Sequence, residues 1–293
     1  MKDEERVITR RDFLRDAAAA TLALGLPAGA QTRAPSKRSR VVLVRDEKAL
    51  NAQGQVNANV IQHMLDDAVC ALVGKKDPVA CWRTLVKPAD LIGIKTNHWS
   101  SLATPKEVEN AIQRRVADAG VARERIRVTD RDCRTMLSDC TALINARPAR
   151  SHHWAGMGGC IKNYIIFDPN PSRHHPDACD DLATVWSLPA VKGKTRLNIL
   201  VVLTPLFHGR GPHHYDPRYV WDYKGILVSF DPVAIDAVGA HLLSIKRLAA
   251  LKEDRPATPT NHITSADRKY HLGVSDLNRI ELIKLGWKKQ VLI

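Results

Sequence analysis

The stretch LIGIKTNHWSSLATPKEVENAIQRRVADAGVARERIRVTD, residues 91–130, decides the fold class. Leu91 to Lys95 is a short apolar run rich in isoleucine and reads as a buried strand. Thr104-Pro105-Lys106-Glu107 then offers a capping threonine, a proline for the first turn and an acid three residues on. The helix it starts is expected to run to about Ala119 and stop at Gly120. Ile126 to Thr129 is the next strand. Strand, helix, strand is the unit from which parallel sheets are built.

The pattern extends in both directions. Val41 to Val44 reads as a strand. Val56 to Val73 spaces Val60, Ile61, Met64, Leu65, Ala68, Val69 and Leu72 as an amphipathic helix does. Pro78 to Leu85 reads as a second short helix. Downstream, helices are expected over about Arg134 to Leu143 and over Asp177 to Val185. Leu197 to Leu203 is the most apolar strand and is expected at the centre of the sheet. Thr204 to Tyr223 is a long loop rich in Gly, Pro and His. Gly225 to Phe230 is a strand, and Asp231-Pro232 caps and starts a helix to about Leu251. A last helix is expected over Ser265 to Leu272 and a last strand over Ile280 to Ile283. The expected architecture is α/β and layered, with a mostly parallel central sheet flanked by helices. It spans residues 41–293 as a single domain or two tightly packed halves.

The first thirty residues read as an address. Arg10-Arg11, the apolar run Ala17 to Leu26 and Pro27-Ala28-Gly29-Ala30 make a twin-arginine export signal with cleavage after Ala30. Residues 31–40 follow as a flexible leader. The run is too short to span a bilayer, and no other stretch is long and apolar enough to do so. A periplasmic protein without a stable membrane span is expected, with the twin-arginine translocase as its partner during export. The signal holds five basic and five acidic residues, so the rest of the chain keeps the whole net charge of +13. Such a charge suits acidic ligands or an anionic envelope surface. Nucleic acid is not expected, because the basic residues are scattered and no DNA-binding spacing occurs. The six cysteines form no close Cys-x-x-Cys unit. Cys70 with Cys81, and Cys133 with Cys140, are conceivable disulfides beside the alternative of free buried thiols.

Chemistry concentrates in Ser151 to Asp177, where His152-His153 and His174-His175 flank Gly156, Gly158, Gly159, Lys162 and Asn163. The glycines allow positive φ and a backbone cradle for an anion. Lys162 can pair with that anion, or act as nucleophile or base once desolvated. His152, His153, His174, His175 and His98 are candidate metal ligands. A glycine-rich surface loop with solvated histidines accounts for the same residues. Ligands of open α/β sheets sit beyond the carboxyl ends of the strands. Lys95 to His98, Asp130 to Asp132, and Thr204 to His214 are therefore expected to meet this stretch in one cleft. Lys95 joins Lys162 as a candidate catalytic residue, and Asn97 joins Asn163, Gly158 and Gly159 as candidate ligand contacts. Asp231 most simply caps its helix. Asp236 stands inside that helix, and both aspartates are candidate ligand contacts that could support a metal or orient a histidine.

From Lys95-Thr96-Asn97 onward the chain resembles the domain of unknown function 362 family. The resemblance runs through Thr104-Pro105, Val128-Thr129-Asp130, Gly158-Gly159-Cys160-Ile161-Lys162-Asn163, Gly225 to Asp236 and Leu272-Gly273. It implies an α/β domain with no assigned reaction. Some members carry an added ferredoxin-like cluster domain, whose cysteines this chain lacks. A local likeness, His152 to Lys162, is similar to nickel-pincer lactate racemases. It implies a lysine that holds a pyridinium-type nucleotide and a later histidine on nickel, here His174 or His175. The spacing after the glycines is one residue longer here. The functional expectation is an exported protein that binds a small anionic ligand in a Lys/Asn/His cleft, with a divalent metal as candidate cofactor and the reaction unassigned. The alternative is a non-catalytic periplasmic protein that binds a metal or an acidic ligand.

Overall fold

Eight strands form one sheet: β1 Ser39–Arg45, β2 Ile92–Lys95, β3 Ile126–Thr129, β4 Ala142–His152, β5 Gly156–Gly158, β6 Thr195–Leu206, β7 Gly225–Ser229 and β8 Ile280–Gly286. The computed structural model describes residues 38–293. The expected export signal, residues 1–30, and residues 31–37 of the expected leader lie outside the described residues. The described residues, 38–293, make one compact unit. Seven strands lie in the order β3-β2-β4-β6-β7-β1-β8, and β5 pairs with β4. The pairs β3/β2, β2/β4, β4/β6 and β1/β8 are parallel. Within the seven, β7 alone runs against both neighbours. The sheet is mostly parallel, and the expected α/β class holds. Leu197 to Leu203 lies in β6, the fourth strand of seven.

Both faces are covered. Helices α1 Ala58–Val73, α2 Pro78–Leu85 and α3 Lys106–Asp118 bury Ile61, Leu65, Trp82 and Ile112 against Ile94, Ile144, Ile199 and Val228. Helices α4 Pro232–Leu251 and α5 Asn261–Arg268 bury Val233, Leu242 and Ile263 with Leu43, Leu143, Leu200 and Leu227 of the other face. Neighbouring strand residues therefore serve opposite cores, so these strands read as unbroken apolar runs. The caps follow the sequence. Asn57, Asp77 and Asp231 each accept two N–H groups of the first turn they precede. Among the described residues no helix is long and apolar enough to cross a membrane.

The main difference from expectation is β4. The helix expected over Arg134 to Leu143 is one short turn, Cys133–Met136, and Ala142–His152 is a strand between β2 and β6. Arg147, Pro148 and Arg150 break its apolar run and hide it. Pro148 is tolerated because it stands at a register shift between Pro148 and Arg150. Strand side chains alternate, which would put Arg147 and Arg150 on opposite faces. Arg147, Arg150 and His152, on either side of the shift, nonetheless all line the same cavity.

Three smaller differences have local causes. Pro105, not Thr104, precedes α3, and Thr104 instead accepts from the Asn97 N–H and donates to the Ala146 carbonyl, tying β2 to β4. Asp177, Ala178 and Cys179 have positive φ of 51, 57 and 62°, so no regular helix runs through them; a 3-10 segment, Leu182–Ser187, follows. The last helix spans Asn261–Arg268, ahead of its expected place.

One polar row crosses the sheet. Thr129, Lys95, Asn145, Asn198 and Ser229 are successive register partners on β3, β2, β4, β6 and β7. Strands β2 and β3 end at this row, while β4 and β6 run on past it. That leaves a shelf, walled by β4, at the carboxyl ends of the shorter strands.

Candidate functional site

A cavity of about 260 Å³ sits on this shelf. Lys95 forms its floor. Its Nζ donates to Thr96 O and Asp130 Oδ1, both at 2.7 Å, and to Asn163 Oδ1 at 3.4 Å. Burial lowers the Lys95 pKa from the ordinary lysine value, against the pull of Asp130. Burial alone would raise the Asp130 pKa, but the charge and hydrogen bond of Lys95 hold it below the ordinary value. Asn163 also donates to Lys95 O at 3.1 Å and to Asn145 Oδ1 at 2.8 Å. Asn145 donates to Asn198 Oδ1 and Cys160 O, and Asn198 donates to carbonyls of Ser229 and Phe230. Buried amides are costly unless bonded. This chain of three fixes the lysine and the turn above it.

The glycine stretch is held from below. Gly158 and Gly159 do not adopt positive φ; among these glycines Gly156 does, at 69°. Gly159 is needed for another reason: a Cβ there would overlap the Asp236 carboxylate. Asp236 accepts from the N–H groups of Cys160 at 2.6 Å and Ile161 at 2.8 Å. The anion seated in this backbone cradle is thus the protein's own. Asp236 is fully buried, and burial pushes its carboxyl up to about 7, against those hydrogen bonds and the nearby Arg147 charge. Its place in the fold is to hold the turn Cys160–Asn163, which presents Lys162 and Asn163 to the cavity.

The cavity is strongly cationic. Lys95, Arg147, Arg150 and Lys162 line it, each no more than 5% exposed, against the single carboxylate of Asp130. Arg150 donates to Leu102 O at 3.0 Å, but its Nε has no partner. Arg147 has no hydrogen bond or ion pair among the described residues, and its Nε is buried without a partner. Burial lowers the pKa of both guanidinium groups. Lys162 is also buried rather than solvent-facing, with Nζ 3.5 Å from Cys179 Sγ. Burial lowers its pKa to about 8, with Cys179 opposing and Arg147 adding. Arg147 and Arg150 escaped the sequence reading. Their signal was Ala142-Leu143-Ile144, an apolar strand start followed by basic residues just ahead of His152.

The histidines divide. His152, His175 and His213 line the cavity; His98, His153 and His174 do not. His152 accepts from Trp154 N–H at 3.2 Å, and burial beside the Lys162 charge strongly lowers its pKa. Burial lowers the His175 pKa to about 4. The Trp154 ring stands between the expected pairs, 4.2 Å from His153 and 3.9 Å from His175 between centroids. His174 is buried between Asp181 at 2.9 Å and Asp168 at 3.2 Å. His98 bonds Glu109 at 2.7 Å on the flank of α3. Among the described residues no three His, Cys, Asp or Glu side chains converge to hold a metal ion. The candidate histidines thus do not assemble a three-ligand metal site among the described residues. Of the other candidates, Asn97 lines the cavity, while Asp231 caps α4 and binds Ser39 and Val274.

A family model described as Domain of unknown function (DUF362) matches residues 121–241. That segment is similar to the DUF362 family. No curated protein matches the chain, and no solved structure does. The DUF362 segment supplies Asp130, Arg147, Arg150, Lys162 and the Asp236 support. Lys95 and Asn97 reach the cavity from outside the matched range.

A larger groove, about 610 Å³, lies beside α4 and α5. Its buried charge is already paired, Arg247 with Asp254, and Ser244 and Ser275 bond Asp254 and Asp267. The smaller cavity holds the buried unpaired charge and is the candidate site.

Proposed function

We propose that the DUF362 cavity binds a small anion bearing two or more charged oxygens, of the phosphate or dicarboxylate kind. The observation that carries this reading is Arg147. An unpaired buried guanidinium costs several kcal/mol, by order of magnitude, unless something compensates it. A planar fork matches the oxygens of a phosphate or carboxylate. Lys162 adds a second charge, and near neutral pH it can also give up its proton and act as base or nucleophile. Binding is therefore the firm part of the proposal, and Lys162 is where turnover would occur.

The test is thermal melting of the purified protein in low-salt buffer with inorganic phosphate or malonate, against chloride at equal ionic strength. A ligand at about a hundred times its Kd should stabilise by roughly 2.7 kcal/mol. Phosphate or malonate should raise Tm by several degrees more than chloride. Equal shifts in all three salts would mean screening of the basic surface and would end this reading.

We also propose that the protein is exported by the twin-arginine translocase, on the strength of Arg10-Arg11 and the apolar run behind them. Exchanging both arginines for lysine should retain the protein in the cytoplasm. An undiminished periplasmic yield would rule this out.

A further inference from the structure

Cys70 stands near the end of α1 and Cys81 inside α2, and their sulfurs lie 3.4 Å apart. The chain between them folds back through Gly74 at φ 81°, so the two helices meet as a tight pair. The turn also brings backbone onto the sulfurs, with Lys76 O 3.6 Å from Cys70 Sγ and Lys75 O 3.8 Å from Cys81 Sγ. Cys70 is partly exposed and Cys81 is buried. The remaining cysteines point elsewhere. Cys140 faces Met136 O, Cys179 faces Lys162 and Trp154 O, and Cys133 and Cys160 are packed in the core.

We propose that Cys70 and Cys81 are a site of disulfide formation, oxidised by exchange with a small-molecule or protein disulfide. Sulfurs in contact across two packed helices need only small side-chain rotations to reach bonding distance, about 2 Å. The partly exposed thiol starts the exchange. Cys70 thiolate attacks one sulfur of the partner disulfide and releases one partner thiolate. Cys81 thiolate then attacks the Cys70 sulfur and releases the second. The chain loses two electrons and two protons, and the partner disulfide gains them as two thiols. The product locks α1 to α2, the helix that leads into β2 and so into Lys95. Burial and the neighbouring Cys81 push the Cys70 thiol up to about 12. Thiolate is therefore scarce at neutral pH, and closure should speed up as pH rises.

The experiment uses the full chain, reduced with dithiothreitol and then exposed to oxidised glutathione at pH 8. Thiols are trapped with an alkylating reagent and the digest is read by mass spectrometry. A peptide linked through Cys70 and Cys81 should dominate, with Tm raised by roughly 5–10 °C over the reduced protein. Cys81→Ala should stop at a Cys70–glutathione mixed disulfide and show no rise. Wild-type protein that also stops at the mixed disulfide, or keeps both thiols free to alkylate, would overturn the proposal.

Discussion

Arg147→Met should stabilise the protein in anion-free buffer and abolish its response to phosphate. The guanidinium is 5% exposed and has no hydrogen-bonding partner among the described residues. Methionine keeps much of the side-chain length without the charge. Replacing uncompensated buried charge with apolar volume gains on the order of 1–4 kcal/mol. In a domain of this size that is a Tm rise of roughly 3–10 °C. Asp236 loses a favourable neighbour in the variant, but its buried carboxyl is already pushed up to about 7 and can take a proton. The anion-dependent shift of the wild type should vanish, since the buried guanidinium left in the cavity, Arg150, is already held by the Leu102 carbonyl. Trading stability for a charged site is common at functional positions. A variant that melts lower than wild type and still responds to phosphate would make Arg147 a structural residue.

The second large effect concerns Lys162 and has a definite pH window. Its folded pKa is about 8, lowered first by burial. The unfolded value is near 10.4. Below pH 8 the group is charged in both states, and the fold bears the full cost of burying the charge. Between about pH 8 and 10.4 the folded state has released its proton while the unfolded state still holds one. Stability then rises with pH. A separation of that size corresponds to roughly 3 kcal/mol. Lys162→Met removes the whole dependence. Urea unfolding of both proteins should show the variant more stable at pH 7 and the gap closing by pH 10. Cys179 lies 3.5 Å from Lys162 Nζ and feels the substitution, so both proteins are compared in a Cys179→Ala background. A gap that stays constant from pH 7 to 10 would place the Lys162 pKa at its ordinary value and refute the argument.

The residues that announced the fold were those whose local chemistry agrees with their place in it. Ile92 to Lys95, Ile126 to Thr129 and Leu197 to Leu203 are strands by composition and by structure, and Asp231-Pro232 caps a helix in both. Strand β4 was illegible because it does two tasks. Ala142 to Ala146 belongs to the core, while Arg147 to His152 carries charge into a cavity, and no single periodicity describes both. The site was legible where lysine, asparagine and histidine cluster in sequence: Lys95, Asn97, His152, Lys162, Asn163 and His175 do meet. The partners of the glycine turn were not. Asp236 lies more than seventy positions from Cys160, and nothing in a sequence pairs a helix aspartate with two distant amides. His174 illustrates the converse. It neighbours His175 in sequence, but its side chain is taken up by Asp168 and Asp181, away from the cavity.

The register of β1 with β8 bears on how the chain is made. Ser39 pairs with Ile280 and Arg45 with Gly286, so the first strand of the sheet waits for the last. Until those residues leave the ribosome, Val41 to Val44 has one neighbour, β7, and a bare edge. An uncovered apolar edge is a template for pairing with other chains. Closing contacts of such sequence separation is slow, because the whole intervening chain must be ordered first. Completion of the sheet thus waits for Ile280–Gly286, and a translation product that stops before them carries an aggregation-prone strand.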